Sequence, residues 1–285
     1  MVAIMTPAQI KAAAETLQTY LRHQPRVGVV LGSGLGSGAE WVQSAEVIDT
    51  RAIPYWPVAT VAGHSGQLVA GMIAGCPVLI QQGRAHYYEG YSPVQATLPV
   101  RVMQLLGVRY LILTSAVGAL NPELRRGEVM LITDHINLMG LVGLSPLVGP
   151  NEDGWGPRFP DMSQVYDPQL AQLAETAAKE LGTPLRRGVY VGVAGPAYET
   201  PAEVRCLRSL GGDVVAMSLA PEATVARHAG LQVLGLAGIV NLAGSAANAP
   251  LTHTDVLQAA AGIAPRLRAI VAGVISRLGQ GEAGG

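Results

Sequence analysis

Little in this sequence is ionised: Asp, Glu, Lys and Arg make up 14% of the residues, and the formal net charge is −1. So neutral a chain casts no basic field to recruit nucleic acid, and any phosphate must be held by a local cluster. With 49% hydrophobic residues, the balance favours a large core plus apolar surface hidden in subunit contacts. Long uncharged apolar runs are also missing. The most apolar windows are Gln232 to Gly244, which is short and holds Asn241, and Val256 to Leu278, which carries Arg266, Arg268 and Arg277. A spanning helix needs roughly 20 largely uncharged residues, so no membrane partner is expected. No basic region followed by a long apolar stretch opens the chain, and no signal peptide is expected. Cysteine occurs only at positions 76 and 206, without CxxC spacing. Cys76 and Cys206 are expected to be buried thiols in a reducing cytoplasm, with no metal site built on them. Phenylalanine occurs once, at Phe159.

What is present alternates between two periodicities. Residues 7–23 read as an amphipathic helix opened by Pro7, with Ile10, Ala13, Ala14, Leu17 and Leu21 on one face. Strands are expected at 26–31, 67–73, 77–81, 109–114, 128–133, 188–193, 213–217 and 232–241. Helices are expected at 94–106, 168–181, 201–210, 221–229 and from His253 to Leu278, the last capped by Thr252 or Thr254. Near-continuous apolar strands fit a sheet covered on both faces, and the close-spaced strands in the middle imply a mixed one. Residues 141–167 are rich in Gly and Pro without periodicity; so long a loop is functional or sits at an interface. No repeat or linker divides the chain, so residues 1–285 are expected to form one α/β domain.

Polar residues and glycines gather where strands end, the place where open α/β sheets bind ligands. Gly32-Ser33-Gly34-Leu35-Gly36 follows the first strand and is either a tight turn or a cradle of N–H groups for an anion. A dinucleotide fingerprint can be forced on it as Gly34, Gly36 and Ala39, but no ribose-binding acid follows. In Gly83-Arg84-Ala85-His86-Tyr87-Tyr88-Glu89-Gly90, Arg84 and His86 are two apart and point the same way in extended chain. A guanidinium beside an imidazole suits an oxyanion. His64, in Ala62-Gly63-His64-Ser65-Gly66, is a further anion or water partner, or a solvated loop residue. Thr114 to Asn121 carries small residues that let backbone N–H groups approach a ligand closely, or is only a strand-to-turn junction. Tyr198 and Glu199 could stack on a flat heterocycle and accept its N–H; alternatively Glu199 serves the N-terminus of the next helix. Asn241, ending an apolar strand beside Val215-Ala216-Met217-Ser218, has both donor and acceptor and can read a lactam edge.

Taken in order, GSGLG, GHSG, QGRAHYYEGY, TSAVGALNP, FPDMS at 159–163, AGPAYETPAE, VAMS and VN at 240–241 resemble the trimeric purine nucleoside phosphorylases. The likeness runs from about residue 26 past His253. It implies a central mixed sheet, partly closed into a distorted barrel, flanked by helices. It implies that Ser33, His64, Arg84, His86, the backbone of Ala116 and Ser218 hold phosphate. Tyr88, Met217, His253 and a neighbouring subunit's Phe159 would meet the ribose. Ala116, Tyr198, Glu199 and Asn241 would meet the base, with His86, Glu199 and Asn241 catalytic. The implied enzyme is a cytoplasmic homotrimer that uses no metal or organic cofactor, inorganic phosphate being a co-substrate for cleaving inosine- and guanosine-like nucleosides. This chain departs from the common pattern at Tyr198 (often Phe), Leu219 and Val240 (often Thr) and Leu242 (often Lys).

Three other readings compete. A methylthioadenosine phosphorylase would carry aspartates around the base, against Asn241 and Glu199 here. A non-catalytic nucleoside binder would not need Ser33, Arg84, His86 and Ser218 together. A dinucleotide-binding oxidoreductase would need a cleaner glycine fingerprint.

Overall fold

The computed structural model describes residues 5–35, 39–244 and 251–280; Gly36, from the first glycine loop, lies outside them. Nine strands run β1 (Val27–Leu31), β2 (Gln43–Asp49), β3 (Gln67–Ile73), β4 (Cys76–Gln82), β5 (Tyr110–Ala119), β6 (Val129–Asn137), β7 (Arg186–Gly192), β8 (Val214–Ala216) and β9 (Gln232–Leu242). Eight α-helices accompany them: α1 (Pro7–Gln18), α2 (Pro93–Ala96), α3 (Leu98–Leu105), α4 (Leu138–Leu141), α5 (Pro168–Glu180), α6 (Pro201–Ser209), α7 (Leu219–His228) and α8 (His253–Gln280). The strand order is β2-β3-β4-β1-β5-β8-β7-β6-β9, and β9 also pairs with β5. That extra pairing closes β5, β8, β7, β6 and β9 into a five-stranded barrel, while β2, β3, β4 and β1 extend from β5 as an open wing. The α/β class, the mixed sheet and the partly closed barrel agree with expectation.

The strands are apolar without interruption because alternate residues serve two cores. On β5, Leu111 and Leu113 join one cluster with Leu17 of α1, Met103 of α3 and Val225 of α7. Ile112, one residue out of phase, joins the other with Leu170 of α5 and Ile270 of α8. Period-2 side-chain direction on a sheet covered on both faces produces this split. By length and hydropathy alone α8 would pass for a membrane span. Its apolar side, from Val256 through Ile263 and Leu267 to Leu278, is instead buried in the second core, with Arg266 and Arg268 on the exposed side. Thr252 caps it: the Asp255 N–H donates to the Thr252 hydroxyl, and Asp255 accepts from the Thr252 N–H and hydroxyl in return.

Several expectations need correcting. The helix expected at 94–106 is two pieces, because Pro99 has no N–H to donate to the Gln95 carbonyl and its ring crowds that turn. The first helix ends at Gln18 rather than residue 23. Strand β2 was not foreseen; it is an edge strand, largely exposed, and its mixed residues lack an apolar stripe. Strands β5 and β6 run on to Ala119 and Asn137, since the barrel needs longer ribbons than the apolar runs disclose. Cys76 is buried, but Cys206 is exposed on α6, whose only buried residue is Leu207.

The glycine turn after β1 is anchored to β5. The fully buried Thr114 hydroxyl donates to the Val30 carbonyl and accepts from the Gly32 N–H, both at 3.0 Å. Thr114→Val keeps the shape and removes both bonds, stranding a buried donor and acceptor, so it should cost about 1–3 kcal/mol. Denaturant titration should show a lower midpoint at an unchanged m-value; an unshifted midpoint would mean the turn holds without this anchor.

Candidate active site

An open pocket lies where β1, β5, β8 and β9 end, the kind of concave site that takes a small molecule. Ser33, Arg84, His86, Tyr88, Ala116, Tyr198, Glu199, Met217, Ser218, Asn241 and His253 all line it, gathered from positions up to 220 residues apart. Two expected residues do not. His64 stands behind Ser33, and Phe159 projects from the 141–167 loop at 88% exposure, with Arg158 over its ring.

One pole of the pocket is built around Arg84, which is only 3% exposed. Its Nη1 and Nη2 both donate to the Thr114 carbonyl at 3.0 Å, and Nη1 also donates to Ser218 Oγ at 3.2 Å. Ser115 Oγ lies 3.4 Å from the same Ser218 hydroxyl. Ser218 precedes the first residue of α7, and the N–H groups of Ser218 and Leu219 both donate to the hydroxyl of buried Tyr190. Tyr190 and Ser115 were not foreseen. Tyr190 reads as one more apolar strand residue, and Ser115 as a small residue at a strand end.

The two imidazoles at this pole have fixed tautomers. A backbone N–H can only donate, so His64 Nδ1, which accepts from the Arg84 N–H at 2.9 Å, carries no proton. The ring proton is then on Nε2, which donates to Ser33 Oγ at 2.8 Å. Burial first, then the nearby His86 and Arg84, holds His64 down at about 3, so it stays neutral. Gly83 makes room for this arrangement: its φ is positive, and a Cβ there would overlap the His64 ring. His86 is held the opposite way round. Its Nδ1 lies 3.0 Å from Glu89 Oε1. Burial pushes the Glu89 carboxyl up, but donation from His86 and Thr60 overcomes it and leaves it at about 2. An ionised carboxylate only accepts, so the His86 proton sits on Nδ1. The His86 ring stacks on Tyr88 at 4.7 Å. The spacing of Glu89, three residues past His86, is the capping-box spacing that could have disclosed it.

The other pole is set by Asn241. The β5–β9 register slips between Val117 and Gly118, so that Val117 faces Ile239 but Gly118 faces Asn241. This bulge makes Val240 the extra residue and re-aims Asn241. Val240 is buried in the core under α8 and borders the pocket, and Leu219 is buried in the other core; apolar neighbours at both suit side chains without a hydroxyl. Burial raises the Glu199 carboxyl above its ordinary range, making it the more basic acceptor. Gly195, at positive φ, leaves space that Met217 fills. His253 Nε2 donates to the Ala62 carbonyl at 2.9 Å, tying the start of α8 to the loop of His64. From Ser115 at one pole to Gly118 at the other, β5 advances about 10 Å at roughly 3.3 Å per residue, the length of a ligand with an anionic end and a flat end.

A family model described as the phosphorylase superfamily matches residues 26–276. The chain is 49% identical over 268 residues to purine nucleoside phosphorylase 1 of Bacillus subtilis (strain 168), covering 93% of this chain and 98% of that protein. To the purine nucleoside phosphorylase of Mus musculus it is 47% identical over 233 residues, 81% of each chain. Among solved structures, Schistosoma purine nucleoside phosphorylase in complex with hypoxanthine superposes with a TM-score of 0.91 at 38% identity, over 97% of this chain and 99% of that one. The Schistosoma mansoni enzyme in complex with inosine gives 0.90 at 38% identity, over 95% and 97%. The chain belongs to the phosphorylase superfamily and, within it, to the purine nucleoside phosphorylases.

The buried imidazoles carry a pH consequence. His64, His135 and His228 are all held below their ordinary value, burial being the leading cause in each. Their stabilisation is complete above about pH 6.5 and is lost as pH falls, because the unfolded chain takes up protons the native state refuses. Glu89 acts in the same direction only below its ordinary value of 4.5, and Glu199, raised by burial, acts in the opposite direction, so any decline across the window from pH 6.5 to 4.5 comes from the histidines. Stability to denaturant should decline across it, and His64→Gln should flatten the slope. An unchanged slope in that variant would contradict the neutral His64.

Proposed function

We propose that this enzyme cleaves 6-oxopurine ribonucleosides and deoxyribonucleosides, such as inosine and guanosine, by reversible transfer of the sugar to inorganic phosphate. One observation carries the reading: Arg84, Ser218 and Ser33 meet at one pole of the pocket that holds Glu199, Tyr198 and Asn241 at the other. Binding of hypoxanthine and of inosine by related proteins supports the same substrate class.

In this mechanism Ser33, Arg84, His86, Ser218 and the Ala116 N–H hold phosphate below the sugar, with His64 acting through Ser33. Tyr88, Met217 and His253 hold the ribose. The bond from C1′ to purine N9 lengthens first, giving an oxocarbenium-like sugar whose positive charge the phosphate dianion stabilises. A phosphate oxygen then bonds to C1′ from the opposite face, and the electron pair of the broken bond stays on the purine. As the leaving purine takes up a proton from water at N7, Asn241 Oδ1 accepts from that N7–H while its NH₂ donates to O6, and Glu199 accepts from N1–H. Alignment and preorganised charge supply most of the acceleration. No metal or organic cofactor enters. The two thiols form no disulfide, in keeping with our placement of the enzyme in the cytoplasm.

Inosine with phosphate should yield hypoxanthine and ribose 1-phosphate, with negligible turnover in phosphate-free buffer; free ribose formed at equal rates without phosphate would make this a hydrolase. Asn241→Asp offers only acceptors, repels O6 and should slow inosine cleavage by on the order of 10²–10³, with adenosine gaining in relative rate. If the unmodified enzyme already cleaves adenosine as well as inosine, the 6-oxopurine assignment fails.

We propose further that the enzyme is a homotrimer in which Phe159 enters a neighbour's ribose subsite. Its 88% exposure and the exposed Leu141 and Val142 at the start of the same loop are apolar surface that an interface would cover. Phe159→Ala should raise KM for nucleoside and leave KM for phosphate unchanged. Light scattering that finds a fully active monomer would refute the shared site.

A further inference from the structure

Behind the phosphate pole lies a carboxylate that neither motif nor mechanism uses. Glu222, in the first turn of α7, places Oε1 2.8 Å from Arg84 Nε, with the two side chains 7% and 2% exposed. The contact is one of charge rather than of direction. The Arg84 Nε–H is not aimed at that oxygen, and both Arg84 Nε and Glu222 Oε2 are buried without a hydrogen-bond partner. The guanidinium is oriented by other groups, the Thr114 carbonyl and the Ser218 hydroxyl. Leaving a carboxylate oxygen unsatisfied in the interior is costly, so the charge is what the site retains.

We propose that Glu222 is the buried counter-ion of Arg84 and sets how tightly the site holds phosphate and phosphorylated sugar. The proposal rests on the phosphate site assigned above. With Glu222 in place the Arg84 charge is matched, and the attraction of the empty pole for an anion comes from oriented donors. A phosphate dianion must share Arg84 with a resident anion and is repelled by it across a medium of low dielectric. Affinity is thereby capped, and ribose 1-phosphate, which presents the same dianion, can leave. Glu222 also removes the expense of an uncompensated guanidinium while the pocket is empty. It touches neither reacting atom; it acts through Arg84.

Glu222→Gln separates charge from shape, since the amide keeps the volume and can keep its oxygen toward Arg84. Calorimetric titration with inorganic phosphate should show at least tenfold tighter binding than in the unmodified enzyme. In phosphate-free buffer the variant should melt earlier, and phosphate should raise its melting temperature by more than it raises that of the parent. As product release slows kcat should fall, and KM for phosphate should fall by more than KM for nucleoside. Glu222→Ala, which leaves a cavity beside Arg84, should bind phosphate less tightly than Glu222→Gln. Equal or weaker phosphate binding by Glu222→Gln would overturn the proposal and make Glu222 a purely structural partner. The phosphate site itself is judged separately: if the unmodified enzyme shows no phosphate binding that Arg84→Ala abolishes, that assignment fails, whatever Glu222 does.

Discussion

A guanidinium held almost wholly out of water has few options. Arg84 cannot shed its proton, so the structure must surround it with acceptors or a counter-charge. Two acceptors and a counter-charge come from two separate parts of the chain: the Thr114 carbonyl on β5, and the Ser218 hydroxyl just before α7 with the Glu222 carboxylate one turn further on. Meeting that demand fixes the end of β4 against β5 and α7 against both. Tyr190, with its hydroxyl under the first two N–H groups of this segment, binds β7 into the same arrangement. The barrel and the wing are joined here, through β5, and the pole at which we place phosphate is the consequence.

Strand β5 then does two jobs. It pairs with β1 in the wing and with β8 and β9 in the barrel, and its consecutive residues divide between the two cores. A strand gripped on both edges and both faces has little freedom to flex, so distances measured along it are fixed. The pole at Ser115, where we place phosphate, and Gly118 at the other pole sit on that one rigid element, with Asn241 paired to it on β9. Reactant alignment is therefore a property of the sheet more than of any loop.

The division of the chain into strands and helices was legible because burial on both faces leaves continuous apolar runs and helices leave period-3.6 stripes. Pro99, breaking one stripe, and the half-exposed β2, carrying none, mark where that signal gives out. Barrel closure was legible only through resemblance, since no local pattern says that β9 will return to β5. At the site, residue type and position at strand ends brought out Arg84, His86, Glu199 and Asn241. Glu222 and Tyr190 stayed hidden because each sits inside an element where a core residue is expected. Nothing in the sequence of one element shows that a side chain on it meets a group carried by another. The bulge at Val240 escaped for the same reason: a register slip belongs to a pair of strands, not to one.

The pole where we place phosphate is assembled before any ligand arrives, and the two histidines show how. His64 spends its Nδ1 lone pair on the Arg84 N–H and so must donate from Nε2 to Ser33. A serine that accepts from the imidazole behind it keeps its own hydroxyl proton for whatever lies in front. Were His64 in the other tautomer, Ser33 would donate backward and present only lone pairs to a phosphate oxygen. His86 is set by Glu89, a carboxylate that stays ionised and holds the proton on Nδ1, so that Nε2 is its uncommitted nitrogen. One backbone N–H and one carboxylate thus decide which atoms face the ligand, without either touching it. Donors already aimed need no reorganisation when charge develops, which is why these supports, and not only the residues in contact, belong to the chemistry of the site.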